Sequence, residues 1–478
     1  MFKVFNTLDR KKESIKAISD KEIKLYTCGP TVYDYAHVGN LRAYVFADLL
    51  KRWLIVKGFS VKHLMNITDV GHLVSDADEG EDKMEVAVRR EHKTAWELAD
   101  FYTATFMRDV EKLKIIKPDI ISKATDHIPE MISLVKTLEE KEYTYIIADG
   151  VYFDTSKIKD YGKLANLNIE GLKSGARVEL SEEKKNPTDF ALWKFSPKDK
   201  KRDMEWNSPF GRGFPGWHIE CSAMSMKYLG NHFDIHTGGI DHINVHHTNE
   251  IAQSEAATGE KFVNYWLHVE HLLIEGQKVS KSLKNFILLK ELEIKGYSPE
   301  VVRYFLLSGH YKSQINFSYE TLDQVKQTLA SINDFISKVF FVKQRTKEKE
   351  NKPIISKIKQ FEKEFVAFMD DDLNVSNALA SFQNMITIIN KAIDKKEVDK
   401  KTLEKVIDFA ELFNKIFDVI DFESLQHEIS DENVELLKER EKFRKEKKFK
   451  EADTIREILR RHGFQIEDTP YGARLVKK

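Results

Sequence analysis

Residues 23–29, IKLYTCG, form a short apolar run that stops at Gly29-Pro30, and the stretch it opens constrains the fold more than any other. The run reads as a buried strand closed by a glycine–proline break. A loop, PTVYDYAHVGN, leads into LRAYVFADLLKRWLIVKG, where Ala43, Phe46, Ala47, Leu50 and Leu54 recur at helical spacing. Gly58 stops that helix, and FSVKHLMNIT alternates as the next strand. Strand, loop, helix and strand in so short a span make a βαβ unit, the opening half of a nucleotide-binding α/β fold.

The rest of the chain is organised around that unit. A length of 478 residues suggests about three domains. Residues 118–205 carry strand-like pieces (YTYII, GVYFD, ARVEL) between charged turns and read as an insertion between two halves of the sheet. From 214 to 316 the sequence is dense in glycine, histidine and aromatics, as site-bearing loops are. The stretch 318–422 is helical throughout, broken at RTKEKENKP (345–353) and MDDDLNVSN (369–377), with Asn374 and Ser376 as N-cap candidates. Residues 431–461 read as one further charged helix, and GFQIEDTPYGARLVKK as a hairpin turning near Thr469–Gly472. No run approaches the ~20 apolar residues of a membrane-spanning helix, so no membrane partner is expected. The N-terminus turns polar within a few residues, unlike a secretory signal. Two cysteines exclude a disulfide scaffold and an all-cysteine zinc site, and fit a reducing, cytoplasmic compartment. The net charge of -1 argues against a uniformly basic nucleic-acid binder. It is an average, however: Lys438–Lys478 holds 14 Lys/Arg against 8 Asp/Glu, a local +6.

Two phosphate-handling motifs stand far apart. His37-Val38-Gly39-Asn40 lies where the first strand hands over to a helix, whose N-terminal N–H groups and dipole attract phosphate. Gly39 lets a nucleotide lie against the backbone, while His37 and Asn40 can donate to phosphate oxygens. Alone the tetrapeptide is weak, since a histidine near a glycine in a loop is ordinarily structural. Lys278-Val279-Ser280-Lys281-Ser282 follows the apolar strand HLLI, and its two lysines suit a mobile clamp on departing pyrophosphate. An exposed basic loop is an equally good account of it in isolation. As a pair flanking an α/β core, HVGN and KVSKS are similar to the HIGH and KMSKS motifs of class I aminoacyl-tRNA synthetases.

A third constellation is metal-shaped. His246 and Glu250 are four apart in a helical stretch, hence on one face. Imidazole and carboxylate suit zinc, and the only two thiols can complete a tetrahedral set. Solvated histidines in a first helical turn are the competing reading, and a lone cysteine such as Cys221 is by default a small buried residue. Cys28 shifts that balance, because it ends the first strand nine residues before His37 and faces the same crevice.

With these residues in view, TCGPTVYDYAHVGNLR, GWHIECSAMS, NHFDIHTGGIDHINVHHTNEIAQSEA, KVSKSLKN and VRYFLLSGHYKSQINFS resemble the cysteinyl-tRNA synthetase family, a likeness that continues through MDDDLNVSNAL to EDTPYGARL. The resemblance implies a class I Rossmann-like catalytic domain over 1–317, with the insertion at about 118–205 and a stem-contact region carrying KVSKS at about 270–317. It further implies a helical bundle over 318–425 for the tRNA anticodon arm, and a small mixed α/β basic domain over 426–478. Carried over residue by residue, the zinc ligands are Cys28, Cys221, His246 and Glu250, and the cysteine pocket is Thr68, Trp217, His236 and Asp241. ATP is implied to meet His37, Gly39, Asn40, Gly238, Gly239, Lys278 and Lys281, with His37, Asn40, Lys278 and Lys281 catalytic. One zinc ion per subunit, Mg²⁺ with ATP, and ATP, L-cysteine and tRNA(Cys) as substrates follow, in an expected monomer.

A thiol differs from a hydroxyl by one atom, and apolar packing separates such analogues by only ~1–3 kcal/mol. A soft zinc ion that holds the substrate as its thiolate discriminates far more. Two departures from the family pattern stand out. Thr68-Asp69-Val70 runs into Gly71-His72 where the family usually continues Asp-Asp-Lys, so an acidic insertion (Asp76, Asp78, Glu79, Glu81, Asp82) is expected near the pocket. Ile240 also stands where a serine is common. Two other functions compete: a related ligase joining cysteine to a small amine, which leaves the bundle and basic tail without a role, and a non-catalytic RNA-binding paralogue, which leaves the phosphate and metal residues without one. No editing domain is expected.

Overall fold

The βαβ unit legible at the N-terminus is present, and it seeds the largest sheet among the described residues, one of five strands. In a computed structural model that describes residues 1–71, 83–167, 183–197, 202–279, 285–427 and 430–477, the chain divides into two units. The first holds Met1–Val302, Gly309–Ser318 and Asp371–Leu373, and the second Arg303–Ser308, Tyr319–Asp370 and Asn374–Lys478. In the first unit β1 (Lys3–Asn6) and β2 (Lys11–Ser14) precede β3 (Glu22–Thr27), α1 (Val38–Val56) and β4 (Ser60–Ile67). Helices α2 (Lys83–Glu91) and α3 (Ala95–Lys112) lead to β5 (Ile120–Lys123) and α4 (Ile128–Glu140). Four short strands follow: β6 (Thr144–Ile147), β7 (Gly150–Phe153), β8 (Phe190–Phe195) and β9 (Gly213–Pro215). Next come α5 (Trp217–Leu229), β10 (Phe233–Gly239), α6 (His246–Thr258) and β11 (Val263–Val269). A tight pair, β12 (Leu272–Ile274) and β13 (Gln277–Lys278), then precedes α7 (Leu289–Ile294), α8 (Pro299–Ser308), whose residues from Arg303 on belong to the second unit, and β14 (Ile315–Phe317).

The main sheet has the order β11-β10-β3-β4-β5, and every neighbouring pair is parallel. Covered on both faces, the sheet buries successive residues where alternation was expected for β4: its last five, His63 to Ile67, are all buried, the polar His63 and Asn66 included. The strand order reverses between β3 and β10, and the crevice beyond their carboxyl ends is where such sheets bind ligands. Cys28 is fixed there by its N–H, which donates to the Thr237 carbonyl at 3.0 Å. Tyr26, Phe233, Phe262 and Trp266 pack into one core cluster that also includes Cys28 and Cys221, so the two thiols are set by the burial that forms the sheet.

Several expectations need redrawing. β5, which falls inside the expected 118–205 insertion, belongs to the parallel sheet through its register with β4. The separate antiparallel sheet is β6-β7-β8-β9 and extends to Pro215. ARVEL lies outside the described residues. Lys278 stands in β13, paired with Leu273 of β12, and not in an open loop.

In the second unit α9 (Tyr319–Lys343), α10 (Lys352–Asp370), α11 (Val375–Asp394) and α12 (Lys400–Phe417) form the bundle. Phe382 and Phe413 stack at 4.1 Å between centroids, with Phe409 and Phe417 around them. Asn374 caps α11 by accepting the Asn377 N–H, whereas Ser376 is already inside the helix. After α13 (Phe422–His427), the single helix expected over 431–461 is two, α14 (Asp431–Lys445) and α15 (Phe449–Arg461). The chain turns between them at Lys447, whose φ of 60° no helix tolerates. The expected hairpin is β15 (Phe464–Thr469) and β16 (Gly472–Lys477). Ile455, Leu459, Phe464 and Leu475 form its core with α15.

Candidate functional site

The start of α1 is held by its own motif. His37 is the N-cap: its Nδ1 accepts the Asn40 N–H at 3.1 Å, and Asn40 Oδ1 accepts the His37 N–H at 3.1 Å. This is a capping box with histidine and asparagine in place of the usual hydroxyl and carboxylate. Because Nδ1 accepts, neutral His37 carries its ring proton on Nε2, which leaves that nitrogen a donor. Asn40 likewise spends its oxygen on the cap and keeps its amide N–H groups for another acceptor. The motif thus presents donors, in addition to the dipole, at the helix end.

A cavity of about 360 Å³ opens in front of this end, lined among others by Cys28, His37, Gly39, Asp241, His271 and Val279. Val279 brings the second motif to the first: a Cβ placed on Gly39 would lie 3.6 Å from Val279 Cγ2 and 3.0 Å from His37 Nδ1. The Lys278 side chain and the whole of Lys281 lie outside the described residues, as does the acidic insertion at 72–82.

Behind the cavity, four side chains from three elements converge. Cys28 follows β3, Cys221 sits on α5, and His246 and Glu250 are one turn apart at the start of α6. His246 Nε2 is 3.3 Å from Cys221 Sγ and 3.7 Å from Cys28 Sγ. It is also 3.1 Å from Glu250 Oε1. All four are buried. Among the described residues no hydrogen-bond donor satisfies Glu250 Oε1. Burial opposes a charge on His246, yet Cys221 and Glu250 hold its imidazole up at about 10. Burial opposes charge on Glu250 too, but His236 and His246 draw its carboxyl down to about 2. The Cys221 thiol is pushed up, by burial and then by Cys28 beside it. The two sulfurs and the His246 nitrogen lie within 4.8 Å of one another, with Glu250 Oε1 against His246, and this buried donor set suits Zn²⁺.

A second layer orients these groups. His218 Nδ1 is 3.0 Å from His246 Nδ1, and His236 Nε2 is 3.1 Å from Glu250 Oε2. Partners of this kind fix tautomer and rotamer in metal sites. His247 Nδ1 lies 2.8 Å from His268 Nε2, and both rings are held well below the ordinary imidazole value, chiefly by burial and then by His236. Two further triads could also ligate a metal, Cys28–His242–His247 and His236–His247–Glu250. The triad with both sulfurs, Cys28–Cys221–His246, has the chemistry zinc prefers.

The expected pocket residues take different stations. Asp241 lines the cavity, its Oδ1 3.0 Å from His271 Nε2. Trp217, half-buried, stacks on His246 at 4.5 Å. His236 lies beneath Glu250, stacked on Trp266 at 4.7 Å. Thr68 is buried, accepting from Asn66 at 3.0 Å and donating to Glu220 at 3.2 Å. Gly239 lines the cavity, but Gly238 makes room for histidines: a Cβ there would sit 2.6 Å from His247 Cε1. His218, His247, His268 and His271 were not singled out from the sequence. His218 and His247 sit inside segments that bear the zinc ligands, which was the available signal.

Three segments match known families in order along the chain. Residues 14–327 match the tRNA synthetases class I (C) catalytic domain, residues 364–422 the DALR domain, and residues 426–473 the Cysteinyl-tRNA ligase anticodon binding domain. The chain is 45% identical to the cysteine–tRNA ligase of Treponema denticola, over 98% of this chain and 97% of that protein. It is 44% identical to cysteine–tRNA ligase 1 of Burkholderia lata, over 99% and 96%. To the Thermococcus gammatolerans cysteine–tRNA ligase it is 42% identical, over 98% of each. Among solved structures, Mycobacterium tuberculosis methionyl-tRNA synthetase in complex with methionyl-adenylate shares the fold, with a TM-score of 0.66 at 15% identity over 83% of this chain and 92% of that one.

Proposed function

The chain belongs to the cysteine–tRNA ligase family of class I synthetases, and we propose that it activates L-cysteine with ATP and passes it to tRNA(Cys) at the crevice between β3 and β10. The observation that carries this reading is the clustering of Cys28, Cys221 and His246, with Glu250 against His246, behind the cavity that the α1 cap faces. Those four residues would hold one Zn²⁺, which supplies a soft Lewis acid for the substrate thiolate and so a basis for rejecting serine. Asp241, steadied by His271, pairs with the substrate ammonium. Trp217, Thr68 and His236 form the wall and backing of the thiol end.

Bound in this way, the cysteine carboxylate is left free to attack the α-phosphorus of ATP, and pyrophosphate leaves in line. His37 Nε2 and the Asn40 amide donate to phosphate oxygens at the positive end of α1. Gly39 and Gly239 keep the backbone low beside the nucleotide, while Gly238 gives the histidines behind them room. Lys278 and Lys281 neutralise charge on the departing pyrophosphate, and Mg²⁺ accompanies ATP. A terminal ribose hydroxyl of the tRNA then attacks the cysteinyl carbonyl and releases AMP. Residues 1–317 carry this chemistry, while 318–425 and the basic 426–478 grip the anticodon arm, largely through backbone charge. Among the described residues no helix is long and apolar enough to cross a membrane, and the reading is of a monomeric cytoplasmic enzyme. Cysteine-dependent ATP–pyrophosphate exchange and charging of tRNA(Cys), measured on one preparation, test it. Both activities are expected; exchange without charging would point to a small acceptor, and neither to a binding protein.

A further inference from the structure

Two residues beyond Asn40, α1 carries a buried arginine that the chemistry above does not use. Arg42 is 2% exposed, and its hydrogen-bond partners are carbonyls, not a carboxylate. Its Nη1 donates to the carbonyls of Glu270 at 2.6 Å and His271 at 2.9 Å. Its Nη2 donates to those of His310 at 3.2 Å and Ser313 at 2.7 Å. One nitrogen therefore serves one segment and the second nitrogen the other. Those segments run directly into β12 and β14, which pair in parallel from Leu272 and Ile315 onward. β12 turns through Gly276 into β13, which ends at Lys278. The Gly276 N–H is tied back to Asn316 Oδ1 of β14 at 2.7 Å. Phe46, one turn along α1, stacks on Tyr311 at 4.4 Å and closes the same junction.

Burying a guanidinium is costly even with the nearby Glu270 carboxylate favouring its charge, and a leucine would fill the space more cheaply. What only the planar fork supplies is simultaneous grip on two chains. We propose that Arg42 is a positioning residue that locks the roots of β12 and β14 to the phosphate-binding helix, so that the lysine-bearing hairpin is aimed at the departing pyrophosphate. Burial lowers its pKa to about 10, which leaves it charged at neutral pH. The inference rests on the proposed role of Lys278.

A clamp of this kind contributes to the transition state, so it acts on kcat and not on KM. The test is a double-mutant cycle of Arg42→Lys and Lys278→Ala, read by cysteine-dependent ATP–pyrophosphate exchange per active site. Arg42→Lys is expected to lower kcat at least tenfold in the wild-type background with KM for ATP and cysteine within threefold, and to lower it less than threefold when Lys278 is already alanine. Equal losses in both backgrounds, or a loss confined to thermal stability, overturn the inference. If Lys278→Ala alone leaves kcat unchanged, the reading of the hairpin lysine fails instead. Should Arg42→Lys not fold, Arg42→Gln, which retains two donors, takes its place. Failure of both to fold would assign Arg42 to stability alone and also overturn the proposal.

Discussion

Val279 lies over Gly39, so the two phosphate motifs meet across the cavity: a methyl group on the glycine would come within 3.6 Å of Val279 Cγ2. The same methyl group would press on the capping ring of His37 at 3.0 Å. The Val279 contact would be an ordinary one, so it is the crowding of the His37 ring that favours glycine here, although the φ demands nothing unusual.

Gly39→Ala is accordingly expected to slow adenylate formation by roughly tenfold or more, about the effect of shifting one well-placed donor. The fold should survive, because alanine favours a helix start more than glycine does. Pyrophosphate exchange and a thermal melt check this together. An unchanged exchange rate would mean that the donors at His37 and Asn40 are not used.

His236 supports the metal cluster without entering it. Replacing it with alanine removes the 3.1 Å partner of Glu250 Oε2, and a loss of roughly 10–100-fold in zinc affinity is expected. Competition with a chromophoric chelator measures this. Retained affinity would make His236 a direct substrate contact instead.

Acid should destabilise the enzyme through histidines kept neutral by burial. His63 is held down to about 3, by burial and then by Lys51, while its Nε2 meets Thr27 Oγ1 at 2.9 Å. Its folded pKa is depressed below the ordinary 6.5, so between about pH 6.5 and 3 the unfolded chain binds the proton that the folded one refuses. Stability is therefore fully present above pH 6.5 and falls as the pH drops, by up to about 1.4 kcal/mol per pH unit for this group. His63→Gln should flatten that slope in denaturant titrations between pH 7 and 4. An unaltered slope would show that His63 takes up its proton without unfolding.

In the second unit Arg474 is buried between Asp334 and Glu467. Arg474→Ala should cost about 2 kcal/mol of that unit's stability, the scale of charged hydrogen bonds. Charging of tRNA should fall while cysteine-dependent exchange stays near wild type. Equal losses in both assays would contradict a division of labour between the two units.

Much of this was legible in residues 23–67 and in the motifs. Apolar runs and helical spacing depend on burial, and burial built β3, α1 and β4 as expected. Local signals misled where a single backbone angle or a distant partner decided. Nothing in EKFRKEKKFK marks the turn at Lys447, because lysine has no intrinsic need for a positive φ. The four residues of β5 carry too little pattern to mark a strand of the main sheet, and only pairing with β4 places it there. For the site, chain spacing brought out His246 and Glu250, and family likeness supplied the complete zinc set. Of the supporting histidines, His218 and His247 share segments with zinc ligands, whereas His268 reaches His247 only through tertiary packing.

The most direct test of the account is zinc K-edge X-ray absorption of the purified enzyme with and without L-cysteine. The account predicts about one zinc per chain with two sulfur and two nitrogen or oxygen neighbours, and a third sulfur at about 2.3 Å once cysteine is added. L-Serine should leave the sulfur count at two. Zinc absent from an enzyme that still rejects serine, or a sulfur count unmoved by cysteine, would contradict recognition of the substrate through its thiolate.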